Sequence, residues 1–361
     1  MKQEREYGID ALRIAAMWMV VILHVLLQGG VLENLEKGSF RYMTAWFLEA
    51  AAYGAINCYG LISGYVGVKT RHRISSAAAL WIQVAFYSVG LTVIMHVLMP
   101  DIVPAASWIN GLFPVSLSYY WYFSAYVFLS FLIPLLNRAL LNAPEKELAV
   151  SLSAVLVLLS INAFAFQRDV FLAGGGYSAL WLMVLYLVGG MIRLYGDSLK
   201  VYQWIRRHAV IVFLLAASAA WGMKMLVGDQ GIPFIGDKAI PADALFSYVS
   251  PSMILSSIAL FSIFADWKPG ERACRWIGRI SPGAFGVYLI HTHPLVYRHC
   301  LGFAFTQLVH VKAYLLPFAV LGVAATIFAA CAAIDLLRGR LFRLLKVRER
   351  CQWAFERIGL S

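Results

Sequence analysis

The sequence predicts an all-α polytopic membrane protein with about ten transmembrane helices and both termini cytoplasmic. Three observations carry this expectation. Of the 361 residues, 61% are hydrophobic and only 14% charged, whereas a soluble domain has about 45–50% apolar and about 25% charged residues. Apolar stretches long enough to cross about 30 Å of hydrocarbon recur along the whole chain. With the N-terminus inside, the inner segments hold about 22 Lys and Arg residues and the outer segments about seven, which is the bias of the positive-inside rule. No stretch shows the alternation of a membrane β-barrel.

The spans read at 8–30, 42–66, 75–99, 119–141, 147–166, 177–195, 207–227, 244–265, 281–301 and 312–337. Inner segments carry Lys2 and Arg5, then Lys69, Arg71 and Arg73, Arg138 and Lys146, the Arg193–Arg207 group, the Lys268–Arg279 group, and seven basic residues from Arg338 to Arg357. These loops account for the net charge of +11 without nucleic acid, and would draw an anionic cytoplasmic ligand. The whole is expected as one integral membrane domain, 1–337, and a basic tail, 338–361. Leu341, Leu344, Leu345, Trp353 and Phe355 give that tail a partly apolar face suited to the inner leaflet. The first span is too long, and lacks the cleavage site, for a removable signal, and no soluble domain of any size is expected. Five scattered cysteines without a CxxC suggest neither a disulfide framework nor a metal site.

The first span holds the most costly residues. A charged or titratable group at membrane depth costs on the order of 2.5–3.5 kcal/mol even on the lenient insertion scale. Arg13 and His24 are eleven positions apart, about three turns plus 20°, so they share one face about 16 Å apart along the axis. Asp10 can pair with Arg13 as an i,i+3 neighbour, and Gln28 continues the stripe. A structural reading stands beside the functional one: Arg13 can snorkel to water and His24 can hydrogen-bond a neighbouring helix.

In the second span Glu49 lies at a depth similar to His24, where a carboxylate could orient an imidazole; pairing with Arg41 is the alternative. Asn57 follows, then Ser63 and Gly64, small enough for close helix packing. The fourth span opens with Ser118-Tyr119-Tyr120-Trp121-Tyr122, an interfacial aromatic belt or a sugar-stacking surface. The fifth and sixth are joined by Arg168-Asp169 and Gly174-Gly175-Gly176, a permissive turn and not a phosphate loop. The outer loop at 228–243 reads as a flexible turn region. In the ninth span His291 and His293 diverge by about 200° on a helix, so only one can face a given site, and Pro294 can kink the chain there.

These residues resemble a known family. Arg13, ten residues and His24 resemble the signature of membrane acyltransferase family three. NCYGLISGY (Asn57 to Tyr65) resembles its second-helix motif, WYFSAYVFLSFLIPLLN (Trp121 to Asn137) its fourth-helix pattern, and SPGAFGVYLIHTHP (Ser281 to Pro294) its late motif. The matches fall in order and span most of the chain. The resemblance implies a ten-helix enzyme of the cell membrane that moves an acyl group, commonly acetyl, from cytoplasmic acyl-CoA to a hydroxyl of a surface or envelope glycan or its lipid-linked precursor. It implies a catalytic His24, with Arg13 on the donor side near the CoA phosphates or thioester; His24 could act as a base or carry the acyl group itself, and the depth of Glu49 makes that carboxylate a third catalytic candidate. Asp10, Asn57, Trp121, Tyr122 and His291 are the candidate substrate-binding residues. Acyl-CoA is expected as donor substrate, with no separate cofactor. A transporter or flippase using the polar stripe as a path is the competing reading, although no internal repeat supports it; a sensing module is a third.

Overall fold

The computed structural model describes residues 5–70, 74–227, 231–235 and 238–357. Lys2, Arg71 and Arg73, counted above with the inner loops, lie outside them. The elements are helices throughout, apart from one hairpin. In order they are α1 (Tyr7–Leu26), α2 (Phe40–Ala52), α3 (Ala55–Gly67), α4 (Ile74–Leu98), α5 (Ala105–Leu112), α6 (Trp121–Asn142), α7 (Glu145–Phe164) and α8 (Ala179–Tyr195). Then come α9 (Lys200–Arg207), α10 (Ala209–Leu226), β1 (Ile232–Ile235), β2 (Lys238–Ile240), α11 (Pro251–Asp266) and α12 (Glu271–Ile280). The chain ends with α13 (Ala284–His291), the single turn α14 (Pro294–Val296), α15 (Leu316–Leu344) and α16 (Val347–Arg357).

Among the described residues six helices, α1, α4, α6, α7, α10 and α15, are long and apolar enough to cross a membrane. The pair α8–α9, bent by 90°, would make a seventh, and α11 is a shorter apolar helix. Every sequence-predicted span coincides with helix, but two are interrupted. The second is split between α2 and α3 at Tyr53 and Gly54, where Gly54 lies against Ser256 of α11. The ninth is split after His291: Thr292 leaves helical geometry and His293 is extended (φ −54°, ψ 126°), as the residue before a proline prefers. The outer loop read as a flexible turn contains the antiparallel β1–β2 pair, with Ile232 opposite Ile240. No helix break marks residue 337, since α15 runs on to Leu344.

Burial identifies the centre. In α1, 67% of the most apolar window is buried, against 33% or less in the other five long helices. Its neighbours are α2, α3, α11, α12, α13 and α15. The outward faces of the peripheral helices remain apolar: Phe128 and Phe131 on α6, Val150 and Val157 on α7, Ile211 and Leu215 on α10 are all exposed. A soluble protein avoids such a continuous apolar exterior, whereas lipid covers it without cost.

Backbone contact replaces side-chain packing between α3 and α8. A Cβ added at Gly64 would fall 1.8 Å from the Tyr186 carbonyl oxygen, and one at Gly189 would fall 2.1 Å from that of Leu61. This is the small-residue mode of association expected where lipid offers no hydrophobic driving force. Elsewhere a buried carboxylate does the joining. Asp335 of α15, 3% exposed, accepts from Arg338 at 2.8 Å and from Tyr87 of α4 at 2.8 Å. At the end of α9, Arg206 bridges Asp197 and Asp266 and holds that helix to the end of α11.

Gly64→Val is expected to separate α3 from α8. Overpacking of this kind costs about 1–3 kcal/mol or more. The purified variant should show a lower melting midpoint in detergent, while Gly90→Ala, with no neighbour within 4 Å of the added Cβ, should melt as the wild type.

Candidate active site

Helix α1 carries two polar centres. At its start Asp10 is 5% exposed. Arg5 Nε donates to Asp10 Oδ2 at 2.5 Å, Arg13 Nη1 to Oδ1 at 2.5 Å, and Ser281 Oγ to Oδ1 at 3.1 Å. A buried carboxylate is tolerated only when its charge and its lone pairs are met in this way. The pairing of Asp10 with Arg13 anticipated from their spacing is therefore present, and Asp10 serves to hold the two guanidiniums. A third guanidinium stands nearby. Arg193 of α8 donates to Glu6 at 2.5 Å and to the Tyr65 hydroxyl at 2.7 Å, with its plane 4.6 Å from the Tyr65 ring.

These groups line a cleft of about 350 Å³ formed by Arg5, Glu6, Asp10, Arg13, Tyr65 and Arg193. Arg13 also lines a second cavity of about 400 Å³, with Tyr59, Ser63, Tyr122, Tyr126 and Phe285. Arg13 thus lines both a charged cleft and a second open cavity that is mostly apolar. The Tyr59 hydroxyl donates to the Arg13 carbonyl at 2.6 Å, tying α3 to this point of α1.

The second centre lies at the other end of α1. His24 Nδ1 is 3.0 Å from His291 Nε2, and His291 Nδ1 is 2.6 Å from the Val287 carbonyl oxygen. The Tyr297 ring meets the His24 ring edge-on at 5.0 Å and 80°. Gln28 donates to the Tyr297 carbonyl at 3.2 Å, so the last member of the predicted stripe secures that tyrosine. His24 lines a cavity of about 270 Å³ together with Tyr119, Trp121, Tyr177, Tyr248, Tyr288 and Tyr297, among others. Trp121 and Tyr177 rings lie 4.6 Å apart there, and Tyr177 and Tyr248 rings 5.0 Å apart.

This cavity and the one beside Arg13 have walls that touch. Tyr122 lines the Arg13 side and Tyr288 the His24 side, and their rings meet edge-on at 6.2 Å.

The sequence-named residues divide accordingly. His24 and Trp121 line one cavity, while Arg13 and Tyr122 line the other. His291 touches His24 directly. His293 is turned away, with Nε2 at 3.1 Å from the Ser88 carbonyl oxygen and 3.4 Å from the Tyr119 hydroxyl; the break before Pro294 separates the two imidazoles. Glu49 is 3% exposed, and its Oε2 has no hydrogen-bond partner. It does not reach His24, and the phenols of Tyr53, Tyr248 and Tyr297 are within its electrostatic range. No hydrogen bond joins it to an imidazole; the described partners of His24 are His291 and Tyr297. Asn57 is fully buried and both ends of its amide are engaged: Nδ2 donates to the Tyr248 carbonyl at 2.8 Å, and Oδ1 accepts from Trp181 at 2.9 Å. Asn57 shapes the cavity by holding Tyr248. Among the described residues no cluster of three or more His, Cys, Asp or Glu side chains could hold a metal ion.

Tyr177, Tyr248, Tyr297, Arg193 and Ser281 were not singled out as site residues from the sequence. Ser281 belonged to a quoted motif and Arg193 to a basic loop, but tyrosines scattered across three segments carry no spacing signal.

The acyltransferase domain model of family 3 matches residues 6–335, and so covers both polar centres of α1, apart from Arg5, and the segment that contacts them. The chain belongs to acyltransferase family 3. It is accordingly an acyltransferase and a multi-pass membrane protein, and the resemblance read from its motifs holds. No curated protein and no solved structure matches the chain significantly. In this family member the matched region ends at the buried Asp335, before the basic tail.

Asn57→Leu is expected to leave the Trp181 indole N–H and the Tyr248 carbonyl unpaired. Each buried orphan costs about 1–3 kcal/mol. A lower melting midpoint and a lower yield of folded protein in detergent, relative to wild type, would show it.

Proposed function

We propose that the protein transfers an acyl group, most simply acetyl, from cytoplasmic acyl-CoA to a hydroxyl of an envelope or surface glycan, or of its lipid-linked precursor, across the cell membrane. One observation carries the reading: a single helix presents Arg13 to a charged cleft at one end and His24 to an aromatic cavity at the other, with the Tyr122 and Tyr288 rings in contact between the two cavity walls.

The chemistry fits each compartment. Acyl-CoA is polyanionic, and the cleft offers three guanidiniums whose planar forks suit phosphate oxygens. The separation of about 16 Å along α1 favours Arg13 on the phosphates or the pantetheine arm over the carbon under attack. The arm extends along the apolar cavity, and the thioester reaches His24 as the Tyr122 and Tyr288 rings part. Clustered aromatic rings such as Trp121, Tyr177 and Tyr248 suit the apolar face of a sugar, and the tyrosine hydroxyls suit its polar rim.

At His24 an alcohol is a poor nucleophile until a base removes its proton, and imidazole titrates near working pH. His24 takes the hydroxyl proton as the oxygen attacks the thioester carbonyl carbon. The C–S bond breaks as the ester C–O bond forms. The CoA thiolate departs and recovers the proton from His24. The basic loops then face the cytoplasm with both termini, the acyl group moves outward, and CoA stays inside.

The test is transfer of label from acetyl-CoA to envelope glycan in membranes. His24→Ala is expected to lower transfer by about 10²–10⁴-fold, and Arg13→Ala to raise the KM for acetyl-CoA. Full transfer by both variants at normal expression overturns the assignment. Glycan movement across the membrane with no consumption of acyl-CoA would favour a flippase instead.

A further inference from the structure

The contact between the two imidazoles determines more than proximity. A carbonyl oxygen can only accept, so the 2.6 Å contact of His291 Nδ1 with the Val287 oxygen places a proton on Nδ1. A neutral imidazole carries one N–H, and His291 Nε2 is therefore a bare acceptor. His24 Nδ1, 3.0 Å from it, must be the donor. Neutral His24 then has its lone pair on Nε2, on the side chain that lines the aromatic cavity. His291 is 1% exposed, so water does not compete for its Nε2. On the other flank, Tyr297 holds the His24 ring edge-on.

We infer that His291 is a positioning residue that fixes the tautomer of His24 and so makes Nε2 its basic nitrogen. The chain Val287 carbonyl, His291, His24 occupies the place that a carboxylate fills where a base is oriented by a third group. Glu49 does not fill it, since it makes no hydrogen bond with His24. When His24 takes up a proton, its Nδ1–H remains paired with His291, and the bond becomes charge-assisted. The same geometry makes Nε2 the nitrogen that would carry an acyl group if His24 acted as a nucleophile. The inference rests on the reading of His24 as the reactive base, but the tautomer is observable without turnover.

The experiment uses the full chain in lipid nanodiscs, with histidine nitrogens labelled by ¹⁵N and the His24 signals identified by their loss in His24→Asn. Wild type is expected to show His24 protonated at Nδ1 and bare at Nε2. His291→Leu should release the tautomer toward a mixture and lower kcat at least about tenfold, with KM for acetyl-CoA changed less than about twofold; a misplaced tautomer costs up to about 10⁴ in serine proteases. His291→Gln, whose amide oxygen can accept from His24, should restore the tautomer and part of kcat. A wild-type His24 protonated at Nε2 overturns the inference, whatever the variants do. So does a His291→Leu enzyme with wild-type tautomer and kcat. If His291→Leu fails to fold, the wild-type tautomer and the His291→Gln kinetics decide. A bare Nε2 in a protein that transfers no acyl group supports the pairing and overturns only the acyl-transfer reading.

Discussion

A polar side chain on a helix surrounded by apolar neighbours has to find its partners inside the protein, because lipid supplies none. On helix α1, Asp10 is met by Arg5 and Arg13, and Asp10 and His24 each find a further partner in one other segment. Ser281 donates to Asp10 and His291 contacts His24. The residue numbers rise together, so residues 281–291 run parallel to α1. The two contacts act as clasps at either end of one interface. Between them α1 packs on α13, and Gly286 lets α13 approach Asp335 of α15. The arrangement of the central helices follows from satisfying α1.

The same constraint creates the division of labour proposed for the site. Arginine is most easily kept charged near water, and here it is gathered with carboxylates and a tyrosine at one end of α1. Imidazole can be buried neutral, and it lies at the other end among tyrosines. The distance between the two is fixed by a rigid helix and not by a loop. Arg13 and His24 therefore line two cavities whose walls meet at the Tyr122 and Tyr288 rings. Tyr248 is set by the buried Asn57 amide and Tyr297 by the half-buried Gln28 amide, so the walls of the His24 cavity are themselves anchored.

Much of this was legible in the chain. Composition and basic-loop bias gave a helical membrane protein, and periodicity put Asp10, Arg13, His24 and Gln28 on one stripe. Pro294 marked the break that turns His293 away, and Gly64 marked close helix contact. These are local properties: hydropathy, a 3.6-residue period and the stereochemistry of proline and glycine act between near neighbours. The break at Gly54 was less visible, since one glycine in an apolar run is compatible with a continuous helix, and contact with α11 accompanies the interruption.

By itself, the sequence determined that α1 holds an arginine and a histidine on one face, that the pair needs internal partners, and, through its ordered motifs, that the chain is a family 3 acyltransferase. Only the tertiary structure decided who the partners are. It chose His291 over His293 and over Glu49, committed both ends of the Asn57 amide to the fold, and brought Tyr177, Tyr248 and Tyr297 around His24. Those choices depend on which helices meet and at what depth. A hydrogen bond between residues hundreds of positions apart is set by the packing of whole helices, and no local spacing encodes it.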